Sequence, residues 1–394
     1  MIDQPTAKPR NDSSKWQLLR QAIRASWINR HGRAADVGTV IGCSGGADSV
    51  ALARLLVELW NDEAAEAVSA SGGSRTPKLL SPLVIAHCNH GLRGDESNAD
   101  ESFVRNLSET LGVTCVVHRE VNTSRLTNAP PARDESTLRN IRRKFFHEVA
   151  QQHGCRYIAV AHTADDQAET LLHHFLRGTG PRGMGGMTST SPFEDEMVLR
   201  RPLLSVRRKD LREGLREIAQ SWREDASNQQ TLYTRNWIRQ DVLPMLEERY
   251  PTAVDAMVRT GQLQSETNSM VDRFAQRWLD ECTRFTPSKS TPDRWTIFAE
   301  AMAARSSNAE TNAGKFNWHQ ERPIIVAACQ LAWDQLGWSR GVMTMDHWQR
   351  LASTILELAS REYDPSEPTS FNGGPLPGPI SLRNFEGNLV LQAE

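Results

Sequence analysis

Val40-Ile41-Gly42-Cys43-Ser44-Gly45-Gly46-Ala47-Asp48-Ser49 reads as a strand running into a glycine turn that opens a helix. Residues 37–41 form a short apolar, β-branched run, and Val50, Ala51, Leu52, Leu55, Leu56 and Leu59 follow at helical spacing. Glycines at 45 and 46 let the backbone approach an anion closely, while the first free N–H groups of the helix and its positive dipole end point at that anion. The turn lacks the lysine of a Walker A loop, since no Gly-x-x-x-x-Gly-Lys-Ser/Thr occurs in the chain. It offers instead the hydroxyls of Ser44 and Ser49 beside Asp48, a carboxylate suited to holding Mg²⁺.

A chain of 394 residues has room for two or three domains, each with its own core. No run of 18 apolar residues exists, and residues 1–14 are polar and disorder-like rather than a signal peptide, so a cytoplasmic protein is expected. The 6 cysteines are scattered with no Cys-x-x-Cys pair, which supports neither a zinc site nor a disulfide framework. A net charge of -2 gives no global attraction to nucleic acid, so any such binding must come from local patches.

Outward from the glycine turn, strands and helices alternate. An amphipathic helix is predicted over 15–29, and the stretch 61–78 reads as a solvated insertion. Strands at 83–87, 113–117 and 158–161 alternate with helices at 97–111, 135–152 and 165–176, the pattern of a parallel sheet covered on both faces. A glycine loop, 177–187, follows. Over 198–239 arginines and lysine stand at 10 positions against 5 acids, a local electrostatic footprint. Pro251 marks a boundary, after which helical periodicity covers 252–283 and 293–361, with two short strand-like runs at 380–382 and 389–391. The tryptophans of this half are more often core than base-stacking surfaces at such spacing. The expected organisation is a polar N-terminus (1–14), an α/β catalytic domain (15–250) and a smaller, mainly helical substrate-binding domain (251–394).

Ligands of open α/β sheets bind outside the carboxyl ends of the strands, which brings Ser44, the 87–93 stretch and His162 to one crevice. On a helix starting near Asp165, Asp166 and Glu169 project from one face. Two carboxylates at this spacing beside a histidine can bind a metal, orient an amine or take its proton; an acidic first turn that merely suits the helix dipole is the plainer reading.

Ser44-Gly45-Gly46-Ala47-Asp48-Ser49 resembles the pyrophosphate loop of the N-type ATP pyrophosphatases, the PP-loop superfamily with its Rossmann-like sheet. Ala86-His87-Cys88-Asn89-His90-Gly91-Leu92-Arg93, Arg139 with Arg142, 162–170, Arg177-Gly178-Thr179-Gly180, Arg201-Pro202-Leu203-Leu204, Asp225-Ala226-Ser227-Asn228 and 233–239 together are similar to the tRNA(Ile)-lysidine synthetase family, in register over about 15–250. The resemblance implies an enzyme that uses ATP and Mg²⁺ to ligate L-lysine to the wobble cytidine of tRNA(Ile) with a CAU anticodon. It further implies ATP contacts from Ser44 to Ser49, His87, Arg142, Arg177 and Gly178. Asp48 would hold the metal, and Asp48, His162, Asp166 and Glu169 would be catalytic. Contacts to tRNA would come from Arg93, Arg201, Arg207, Arg208, Asn228, Arg235, Asn236 and Arg239. Trp237 departs from the family, which often has a basic residue there. The extra C-terminal domain of longer members is expected to be lacking, and a homodimer is compatible with the sequence. Two other readings are a tRNA 2-thiolation enzyme, against which the missing cysteine pair counts, and a nucleotide-dependent tRNA-binding module without catalysis.

Overall fold

In the computed structural model the described residues are 14–28, 34–70, 81–91, 94–119, 135–224, 234–286, 294–302, 318–360, 376–377, 380–385 and 387–393. Arg93, Asn228 and the polar N-terminus before Ser14 lie outside them. The chain divides into two compact units, 1–179 with 185–261, and 180–184 with 262–394. The division falls inside the helix Ala253–Cys282, later than Pro251.

The first unit is built on a 6-stranded sheet in the order β3-β2-β1-β4-β6-β5. Its strands are β1 (Thr39–Gly42), β2 (Leu83–Asn89), β3 (Thr114–Arg119), β4 (Tyr157–Ala159), β5 (Thr190–Pro192) and β6 (Val198–Arg200). All neighbours are parallel except β5 on β6, which form an edge hairpin that apolar runs did not predict. The central strand β1 is buried at Thr39, Val40 and Ile41 and is covered on both faces, as its unbroken β-branched run requires. Helices α1 (Lys15–Ile28), α2 (Ala47–Ala70) and α3 (Asp95–Leu111) supply one core, with Trp27, Leu52, Leu55, Leu56 and Val104. Helix α4 (Glu135–Gln152) covers the other face through Phe145, Phe146 and Val149. Because β1 pairs with β2 on one side and β4 on the other, the chain reverses its winding between β1 and β4. A crevice therefore opens there at the carboxyl edge.

The expectation that 61–78 leaves the helix is corrected over its first half, since α2 continues to Ala70. Glu63 on that extension is buried and accepts a hydrogen bond from the Ala35 N–H at 2.8 Å, while Trp60 Nε1 donates to the Ser81 carbonyl at 3.3 Å. These tertiary partners make polar residues of the extension part of the unit rather than an insertion.

In the second unit, β7 (Thr283–Thr286), β8 (Arg294–Ile297), β10 (Asn388–Ala393) and β9 (Ile380–Phe385) form an antiparallel sheet in that order. The stretch 294–297, read from periodicity as helical, is therefore a strand. Helices Trp318–Gln335 and Met345–Ser360 complete this unit. Trp333 lies edge-on to Trp338 (centroids 4.8 Å) and to Trp348 (5.1 Å), and Trp278, Trp295 and Trp333 are fully buried. Edge-to-face packing of this kind makes these rings core rather than surfaces for bases. Among the described residues no helix is long and apolar enough to cross a membrane.

Candidate active site

The glycine turn sits at the end of β1. Gly45 has φ +94, a backbone state that penalises any Cβ, and its carbonyl accepts the Arg223 N–H at 2.9 Å. Arg223 is in turn fixed by its Nε on Asp100 at 2.8 Å. Inside the turn, Ser49 Oγ donates to the Gly46 carbonyl at 2.9 Å, accepts the Ser44 N–H at 3.1 Å, and lies 3.2 Å from Ser44 Oγ. Ser44 itself is exposed. The loop is thus shaped by its own hydroxyls and held from outside by Arg223, which no sequence motif indicated. His87 is buried at the end of β2, with Nδ1 2.9 Å from the Cys43 carbonyl. Burial lowers its pKa, so it serves as a neutral donor bracing the root of the turn.

Helix α5 (Ala164–Leu176) starts at the end of β4 with a capping box. The Thr163 hydroxyl accepts the Asp166 N–H, while Asp166 Oδ2 accepts both the Thr163 N–H and the Thr163 hydroxyl at 2.8 Å. The sequence signal Thr163-x-x-Asp166 was available for this cap. It fixes the helix start and turns Asp166 Oδ1 toward the crevice side chains. Glu169, one turn on, is fully buried. Ala164 and Ala168 of α5 pack with Ile238, Leu243, Val254 and Val258, which seats the helix against the segment that carries Arg235 and Arg239.

Neither carboxylate is open. Glu169 accepts a fork from Arg239, Nε to Oε1 at 2.6 Å and Nη2 to Oε2 at 2.9 Å, and Arg235 Nε donates to Oε2 at 3.2 Å. Asp166 Oδ1 accepts from Arg239 at 3.0 Å and from Arg208 at 2.9 Å. Arg208 also donates Nε to Asp48 Oδ2 at 2.9 Å and approaches Glu169 at 3.7 Å. One guanidinium therefore spans Asp48 of the glycine turn and the acidic pair of α5. Burial works against the charge on Asp166, but Arg208, the two bonds from Thr163 and Arg239 outweigh it and hold its carboxyl below the usual carboxylate range. Burial dominates at Asp48 and raises its pKa in spite of Arg208. Asp48 Oδ1 is buried and has no hydrogen-bond partner.

That unpartnered oxygen fits a bound cation. No group of three or more metal-ligating side chains exists among the described residues, so a metal held through Asp48 would need its other ligands from phosphate and water.

Four arginines of the basic run over 198–239 are taken up by these acids and their neighbours. Arg207 pairs with Asp165 and Glu247, Arg208 with Asp48 and Asp166, and Arg235 and Arg239 with Glu169. Arg201 donates to the Thr188 carbonyl at 2.9 Å and to Ser191 Oγ at 3.2 Å. Of the arginines expected to contact RNA, Arg201, Arg207, Arg208, Arg235 and Arg239 are therefore held in intramolecular bonds, with Asn236 next to Arg235 on the helical turn Thr234–Trp237. Arg142 is exposed on α4, and its charge is felt at His162. Arg177 and Gly178 follow the far end of α5, about 16 Å along the helix from Asp166 at 1.5 Å per residue. The structure does not gather them with the acidic cluster.

His162 lies at the end of β4, and its Nδ1 is buried without a hydrogen-bond partner. Burial, aided by the charges of Arg201, Arg235 and Arg142 and opposed by Asp166, pushes its pKa down to about 4. The imidazole is neutral at pH 7. In the unfolded chain it binds a proton near pH 6.5, so between 6.5 and 4 the unfolded state holds more protons and stability falls as pH falls. His162→Gln is expected to flatten that part of the Tm-versus-pH curve relative to the native chain; an unchanged slope would contradict the buried, neutral assignment.

The loop, its sheet and the switch-point crevice define the class. A family model described as a PP-loop domain matches residues 20–246. A tRNA(Ile)-lysidine synthase of Rhodopirellula baltica is 53% identical over 395 residues, covering 98% of this chain and 98% of that protein. One from Nostoc is 33% identical over 267 residues, 68% of this chain and 71% of the relative. One from Thermus thermophilus is 38% identical over 250 residues, 63% of this chain but 44% of the relative, so the match spans less than half of that longer protein. The chain belongs to the tRNA(Ile)-lysidine synthase family.

Proposed function

We propose that the protein ligates L-lysine to the wobble cytidine of tRNA(Ile) bearing a CAU anticodon, using ATP, in the cytoplasm. The observation that carries this reading is the single constellation in which Asp48 of the pyrophosphate loop and Asp166 and Glu169 of α5 share Arg208. In the first step the cytidine 2-oxygen attacks the α-phosphorus of ATP, a P–O bond breaks and pyrophosphate leaves. The backbone N–H groups at Gly45 and Gly46 and the start of α2 receive that leaving charge. Mg²⁺, when bound through Asp48, would supply further charge neutralisation on the phosphates. In the second step the lysine ε-nitrogen attacks C2 of the base, and the C–O bond to AMP breaks.

The amine must lose a proton to react, since its ordinary pKa is near 10.4. Asp166, held below the usual carboxylate range, keeps its charge to bind the ammonium, and Asp166 or Glu169 accepts the proton. His162, neutral and with a free ring nitrogen, positions the nucleotide or the base by hydrogen bonding rather than by charge. Contact with tRNA is assigned to the surface around Arg235, Asn236 and Trp237, the last of these half exposed, and to the second unit.

Sulfur transfer is disfavoured by the cysteines. Cys43, beside the loop, is buried and its thiol is pushed up to about 11, so it is not a ready thiolate. AMP formation from ATP is expected to require both the tRNA and lysine; AMP formed equally well with a sulfur donor in place of lysine would overturn the assignment.

A further inference from the structure

Among the described residues, Arg208 is the side chain that touches both halves of the site. Its guanidinium contacts Asp48, Asp166 and Glu169, and Asp166 and Asp48 raise its pKa against the effect of burial. Its backbone is anchored separately. The Arg208 N–H donates to Asp165 Oδ2 at 2.7 Å, and its neighbour Arg207 is clamped between Asp165 and Glu247. The side chain can therefore move without the helix start at residue 208 moving. With Arg235 and Arg239 it supplies three guanidiniums to three carboxylates, and its Nη groups fill the place beside Asp166 and Glu169 that an ammonium would take.

We propose that Arg208 is a positioning residue that couples the two half-sites, closing the amine site at Asp166 and Glu169 until bound nucleotide draws it off Asp48. The driving forces are electrostatic. A divalent cation taken up at the unpartnered oxygen of Asp48 repels the adjacent guanidinium, and the polyphosphate offers that guanidinium another acceptor. Once Arg208 leaves, Asp166 Oδ1 loses its donor at 2.9 Å and Glu169 Oε1 its neighbour at 3.7 Å, which opens acceptor positions beside two carboxylates. A primary ammonium with three donors fills that vacated place. The inference rests on the reading that Asp166 and Glu169 receive lysine.

Coupling of this kind is reciprocal: nucleotide must tighten lysine by the same factor as lysine tightens nucleotide. The test is calorimetric titration of L-lysine into the full chain, with and without Mg²⁺ and α,β-methylene-ATP. For the native chain the lysine Kd is expected to fall on the order of tenfold or more when the analogue is present. In Arg208→Gln, checked for folding by its thermal transition, lysine binds without nucleotide and the ratio of the two Kd values drops to about one, the limit of no coupling. Arg208→Lys, which keeps the charge, restores part of the ratio. Equal lysine affinity with and without the analogue in the native chain, or a ratio unaltered in Arg208→Gln, would overturn the coupling alone. Analogue binding with no lysine binding in either state would overturn the amine assignment beneath it.

Discussion

Glu169→Gln is expected to lower lysine incorporation by about 10³-fold, within the range that loss of a proton-accepting group commonly costs. Pyrophosphate release from ATP and tRNA should fall much less. The difference follows from where Glu169 stands: fully buried on α5, holding Arg239 in a fork and Arg235 by a single bond, with Arg208 rather than Glu169 touching the loop carboxylate. The replacement keeps the volume but leaves two guanidiniums short of a counter-charge, so a lower Tm accompanies it; removing one partner of a buried pair typically costs about 3–5 kcal/mol. Measuring both half-reactions on the folded fraction separates the chemistry from the stability loss. Equal losses in adenylation and lysine transfer would show that the role given to Glu169 is wrong.

The opposite pattern is expected for Asp48→Asn. Here pyrophosphate release itself should fall by about 10²–10³-fold, the usual cost of removing a group that stabilises developing charge. Asp48 is the loop's carboxylate, its Oδ1 is the atom with no partner, and its Oδ2 is bound by Arg208. The amide is close to isosteric and retains an acceptor for Arg208, so the fold should be little disturbed. Raising Mg²⁺ concentration should recover part of the lost rate; a rate insensitive to Mg²⁺ and close to that of the native chain would remove Asp48 from the phosphate half of the site.

The parallel sheet was readable because its centre obeys a simple rule: a strand buried on both faces favours β-branched and apolar residues, and residues 37–41 provide a short run of them beside a glycine turn that opens a helix. The acidic pair was readable for a similar reason, since spacing of three on a helix fixes a shared face. What spacing does not carry is the partner of a charge. The basic surplus over 198–239 looked like a patch for RNA, yet Arg207, Arg208, Arg235 and Arg239 meet Asp165, Asp166, Asp48 and Glu169, which lie tens of residues away in sequence. Local counting of charge cannot see such long-range pairs. The strap of Arg223 over Gly45, fixed by Asp100, escaped for the same reason. The strand at 294–297 was missed because four residues with alternating burial carry too little pattern to be told from a helix turn.

The central claim is that the glycine turn activates the tRNA and the acidic helix delivers lysine to it. The direct measurement is incubation of the protein with ATP, Mg²⁺, radiolabelled L-lysine and two anticodon-CAU transcripts, one of tRNA(Ile) and one of tRNA(Met). Label is predicted to enter the isoleucine species alone and only when ATP is present. Label in neither transcript would contradict the account, and label in both would place the error in tRNA selection rather than in the chemistry.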